Sequence, residues 1–185
     1  MKNTNGNMYQ KSTSRAFQID NATDLLKIGL LLLLGFFAVV IRERFNIPLQ
    51  LPGHHGFEFM LLFMAGKMLS RQQYAMSISS IGASASAFLP IFHFGNAFMP
   101  FTFLLPGIIG DLVINKAGKN SYLYTAIAGG LAYSSIPLVR QGIMMATGIP
   151  FGSLLNGLLY PLALHFIFGA LGAVAGAAVF GRFKK

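Results

Sequence analysis

Six apolar stretches follow one another along the chain, separated by short polar or glycine- and proline-bearing breaks. They run from Leu25 to Ile41, Phe57 to Leu69, Tyr74 to Phe94, Ala97 to Asn115, Ser121 to Met145 and Ser153 to Phe180. A helix that crosses a bilayer needs about 20 mainly apolar residues, and open strands cannot satisfy their backbone groups in lipid. The pattern therefore predicts an all-α membrane protein with six transmembrane helices. Asn21-Ala-Thr-Asp24 supplies capping side chains for the first of them. The second run is short, so it either borrows residues from its flanks or sits partly re-entrant.

The basic residues decide between those two arrangements. If the second run crosses, Lys2, Lys11, Arg15, Lys27, Lys67, Arg71, Lys116, Lys119, Arg182, Lys184 and Lys185 share one side, and only Arg42, Arg44 and Arg140 face the other. If it does not, the later loops swap sides and the asymmetry is weaker and inverted. Cytoplasmic loops carry the excess of Lys and Arg, so the sequence predicts a multi-pass protein of the cell membrane with both termini cytoplasmic. Residues 1–20 form a polar cytoplasmic tail without a cleavable signal pattern, and residues 21–185 form the six-helix domain.

Composition strengthens this picture. Of 185 residues, 54% are hydrophobic and 10% charged, against about 25% charged in a soluble domain. The net charge of +9 belongs to residues that flank apolar runs. It points to orientation and membrane lipid rather than to nucleic acid. There is no cysteine, which excludes disulfides and thiolate metal sites.

Small residues recur four apart at Ser79, Ala83 and Ala87, and again at Gly169, Ala173, Ala177 and Gly181. Such faces let helix backbones approach closely, either inside the bundle or against another membrane protein. Pro100, Pro106, Pro137 and Pro161 fall in or near the spans, a pattern common where helices line a cavity.

With this topology the chemistry collects on the outer half. His54, His55 and Glu58 lie in "LPGHHGFE" at the mouth of the second helix. His93 ends the third helix and Asn96 follows it, Arg140 and Gln141 lie near the outer end of the fifth, and Asn156 and Tyr160 open the sixth. His165 lies deeper. Each has an ordinary explanation: a snorkelling arginine, an interfacial tyrosine, loop histidines in water. Their coincidence points instead to a polar, substrate-binding pocket, since ionisable groups at membrane depth usually face a cavity or a pathway. His54, His55, Glu58 and His93 are also enough ligands for nickel, cobalt or zinc, although no helical HxxxH pair accompanies them. Asp111, beside Asn115, Lys116 and Lys119, suits a salt bridge, a helix-end role or contact with a cytoplasmic partner. No GxSxG, HExxH or phosphate-binding loop is present, so the chain reads as no enzyme, no cofactor is implied, and it hydrolyses no ATP by itself.

The layout resembles the substrate-binding S components of energy-coupling factor (ECF) transporters. The stretch "NIPLQLPGHHGFEFMLLFMAGKMLSRQQYAM" carries the resemblance, with Pro48 and Pro52 before a short apolar helix that Gly66 closes; "PGIIGDLVIN" is similar to the family's fourth helix. The first helix, "LLKIGLLLLLGFFAVV", lacks the family's AxxxA docking pattern, leaving helices three and six as docking candidates. "LPGHHG" departs from the loops of the biotin, riboflavin and thiamine types, so the ligand stays open. The resemblance implies an S-component-like bundle that captures a small molecule, vitamin-like or another micronutrient, near the outer face. A transmembrane coupling subunit and two cytoplasmic ATPase subunits would drive its uptake. Arg140 would pair with an anionic group on the ligand. A transition-metal uptake component and a membrane-embedded enzyme are the alternatives.

Overall fold

The structure, a computed structural model, describes residues 22–44, 51–92, 94, 97–117, 121–155 and 157–181. The expected N-terminal tail lies outside the described residues. Among these are six α-helices and no strand: α1 (Ala22–Arg44), α2 (Gly56–Ser70), α3 (Ala75–Ser86), α4 (Met99–Ala117), α5 (Tyr122–Thr147) and α6 (Leu159–Phe180). Short 3-10 turns occupy Pro90–Phe92 and Gly152–Leu154.

Two boundaries differ from the expectation. The third helix ends at Ser86 rather than Phe94. Ala87, Phe88 and Leu89 each donate to the carbonyl three residues back, which tightens the last turn. Pro90 then has no N–H to continue it and disfavours the helical region for Leu89. The sixth helix begins at Leu159 rather than Ser153. Gly157, at φ +97°, breaks the chain direction between the Gly152–Leu154 turn and α6. By contrast Pro106 and Pro137 sit inside uninterrupted helices. Ser121 caps α5 by accepting a bond from the Leu123 N–H, and Gly148, at φ +72°, closes it in the left-handed conformation.

The helices close a ring: α1 packs on α3, α3 on α4, α4 on α5, α5 on α6, α6 on α2, and α2 back on α1. Successive helices run in opposite directions. One end of the bundle gathers Asp24, Gln72, Lys67, Ser77 and Asp111, and the other gathers Arg42, His54, Arg140 and Ser153. The core lies on α2, where Phe59 packs its ring against Phe63, Phe103 and Tyr133 at centroid distances of 4.6, 5.9 and 6.1 Å.

Two helices, α1 and α6, are long and apolar enough to cross a membrane. Their best windows have mean hydropathies of 2.4 and 2.0, yet only 22% and 33% of those windows are buried. A core helix of a soluble protein buries such a surface; these two expose it. The shorter α2 and α3 do the opposite, with seven of 15 and eight of 12 residues buried.

Of the two uses the sequence left open for the small residues, the contacts show internal packing. A Cβ on Gly169 would come 2.5 Å from the Gly129 carbonyl oxygen, and Ala173 is wholly buried against the same stretch of α5. Ser79 and Ala83 on α3 are likewise fully buried, where α1 presses Gly35 onto them.

Asp111 anchors the other end, with a partner the sequence reading did not name. Its carboxylate is 1% exposed and pairs at 2.6 Å with Lys67 of α2; Lys119 lies outside the described residues. It also accepts from the Ser77 N–H at 2.7 Å and the Ser77 hydroxyl at 2.8 Å. Lys67 donates further to Asn115 Oδ1 at 3.0 Å and to the Gln73 carbonyl, which also accepts from Asn115 Nδ2.

Candidate functional site

At the opposite end, a cavity of about 160 Å³ opens among α1, α5, α6 and the loop that leads into α2. Its lining comprises Arg42, Leu51, Pro52, Gly53, His54, His55, Tyr133, Ile136, Arg140, Ser153 and His165. Thus His54 and His55 meet Arg140, distant from them in sequence, in one place. His165, expected a turn or two below, joins them.

The loop is shaped to close on α6. Gly53 has φ +86°, which glycine adopts without steric cost. A Cβ there would stand 2.6 Å from Nδ1 of His165, so only a bare backbone lets the loop lie on that imidazole. His165 stacks on Tyr133 with centroids 5.1 Å apart and donates from Nδ1 to the Pro161 carbonyl at 2.7 Å. His54 donates from Nδ1 to the Leu51 carbonyl at 2.7 Å, which leaves its buried Nε2 without a partner among the described residues. The His54 and His55 rings lie 3.9 Å apart.

His55 Nδ1 is 3.2 Å from Glu58 Oε2. Burial holds its imidazole below the ordinary value of 6.5, and nearby His54 and Arg42 push the same way; together they outweigh the raising effect of Glu58. The native state therefore binds this proton less readily than the unfolded chain does. The associated stability is complete above about pH 6.5 and is lost as pH falls through that value toward the folded one. We expect a lower thermal midpoint in detergent at about pH 5.5 than at about pH 7.5, and a smaller difference in His55→Gln. An unchanged difference in that variant would remove His55 from the account.

Arg140 enters from α5. It donates from Nη1 to Ser153 Oγ at 3.4 Å, and its guanidinium lies 5.8 Å from the Phe151 ring centroid. Its buried Nε has no partner among the described residues. Arg42, in the last turn of α1, lies 5.1 Å from the Phe103 ring centroid, with Nε 3.7 Å from Glu43.

The other expected site residues fare differently. Glu58 serves His55 and does not line the cavity, and neither does Gln141, the residue after Arg140. Tyr160 is 55% exposed in the first turn of α6, where an interfacial ring belongs. His93, Asn96 and Asn156 lie outside the described residues. Among the described residues no group of three His, Asp or Glu side chains is placed to hold a metal ion. The sequence reading missed Arg42, Tyr133 and Ser153. Arg42 carried a usable signal, as one of only three basic residues assigned to the outer side. Tyr133 and Ser153 carried none beyond their side chains.

Comparison with known proteins finds no match: no family model fits the chain, and no curated protein or solved structure is detectably similar to it.

Proposed function

We propose that the chain is a six-span membrane protein that captures a small solute in the cavity at the outer end of its bundle and hands it inward with the help of partner subunits. The observation that carries this reading is a polar cavity, walled by three helices and a loop, inside a bundle whose exterior is apolar. Leu30, Leu33 and Phe37 on α1, Ile81 on α3, Phe101 and Leu112 on α4, Leu131 and Leu138 on α5, and Ile167 and Leu171 on α6 are all exposed. Apolar surface on that scale marks a membrane or a protein interface.

The alternating helix directions agree with six crossings, and the basic residues near the Asp111 end agree with a cytoplasmic location for that end and both termini. The resemblance to ECF S components suggests the partners: a transmembrane coupling subunit and two ATPase subunits. A volume near 160 Å³ lies below the range of about 300–1,000 Å³ typical of drug-sized ligands, which favours a small micronutrient over a vitamin-sized one.

The test has two parts. The chain lacks cysteine, so single thiols are unambiguous reporters. In intact cells, Arg44→Cys should react with a membrane-impermeant maleimide, and Lys116→Cys only after permeabilisation. Native mass spectrometry of the purified chain should then release a small molecule that is lost in Arg140→Ala. Labelling of both thiols from the same side would end the six-span reading, and a solute retained in the variant would end the role of this cavity.

A further inference from the structure

We propose that the cavity binds a small oxyanion, a carboxylate or a phosphate, clasped between the guanidinium groups of Arg42 and Arg140. The inference rests on the capture reading above and names the chemical class of its solute.

Two cationic side chains and three imidazoles line the cavity, and no acidic side chain does. The acids nearby are otherwise engaged. Glu58 is held by His55, and Glu43 meets Arg42 only at Nε, at 3.7 Å. Arg140 has one long bond, to Ser153, and a buried Nε with no partner among the described residues; His54 Nε2 is in the same state. Buried polar groups are normally bonded, and each that is not calls for an explanation. Two like charges sharing a partly desolvated space also repel, which is costly unless an opposite charge joins them. An oxyanion satisfies both demands. Its oxygens accept from the planar guanidinium forks in the charge-assisted geometry that arginine favours, and Ser153 and His54 also line the cavity and can complete its shell. A neutral solute of equal size would leave the repulsion in place.

The oxyanion could come from a free solute or from the phosphate of a lipid headgroup, which share this chemistry. The full chain, purified in dodecyl maltoside, is titrated by calorimetry with inorganic phosphate, with succinate and with the neutral isostere succinamide, at matched ionic strength. We expect saturable binding of phosphate or succinate and none of succinamide. Arg42→Gln and Arg140→Gln should each weaken anion binding by about tenfold or more. Arg44→Gln, at the same end but outside the cavity, should leave it unchanged. Gel filtration checks that each variant is folded, and the comparison of succinate with succinamide needs no variant at all. Equal binding of the two, or no binding of either anion, overturns the proposal; the capture reading then survives if native mass spectrometry still finds a neutral solute. A retained phosphatidylglycerol that phosphate displaces, with no other occupant, upholds the oxyanion site and overturns the capture reading instead.

Discussion

Asp111→Ala should cost the fold about 3–5 kcal/mol, the range measured when one partner of a buried ion pair is removed. The carboxylate is 1% exposed, and the side chain of Lys67 opposite it is 10% exposed. Truncation leaves the ammonium with neutral acceptors alone, orphans the Ser77 N–H, and leaves the Ser77 hydroxyl only its long bond to the Gly107 carbonyl at 3.5 Å. The double variant Lys67→Met/Asp111→Leu should recover much of the loss, because it removes both charges together. Unfolding in mixed dodecyl sulfate and dodecyl maltoside micelles provides the measurement. A single variant within about 0.5 kcal/mol of the parent, the scatter of ordinary surface changes, would mean that the pair does not form.

Gly35→Leu should be the most damaging change on α1, at about 1–3 kcal/mol or more from overpacking. A Cβ at Gly35 would lie 1.7 Å from the Ser79 carbonyl oxygen, and one at Gly82 would lie 2.0 Å from the Leu32 carbonyl oxygen. Both obstacles are backbone, so no rotamer change relieves them and the two helices must separate. Gly29 is the internal control. It lies on the same helix with nothing within 4 Å of a built Cβ, so Gly29→Ala should be neutral or stabilising by about 0.5–1 kcal/mol. Equal effects at the two glycines would contradict the close approach of α1 and α3.

Much of the architecture was legible because apolar run length is a direct record of burial or lipid contact. Four of the six helices start and end close to the bounds that the runs suggested for them; α3 ends early and α6 starts late. The end of α3 was lost because Ile91 and Phe92 keep the run apolar past Pro90, and hydropathy does not register a missing N–H. Within the site, His54, His55 and Arg140 were legible as costly residues in an apolar chain. Arg42 was read as a topological marker only, since its approach to the cavity depends on how α1 packs on α2 and α3. The Lys67–Asp111 pair spans 44 residues, and nothing in local spacing couples them. For the small residues the sequence left two uses open, and the backbone contacts decide for packing.

The ionic knot around Asp111 has a mechanical meaning for the opposite end. It ties α2, α3 and α4 through bonds between residues more than thirty positions apart. Around the cavity the side-chain bonds of His54, His55 and His165 reach only three or four positions along the chain, and Arg140 to Ser153 is a single long bridge. Segments with few cross-links open first. Hydrogen exchange is therefore expected to be faster at the end that carries the arginines and imidazoles than around Asp111, so that the tied end acts as the pivot of any opening.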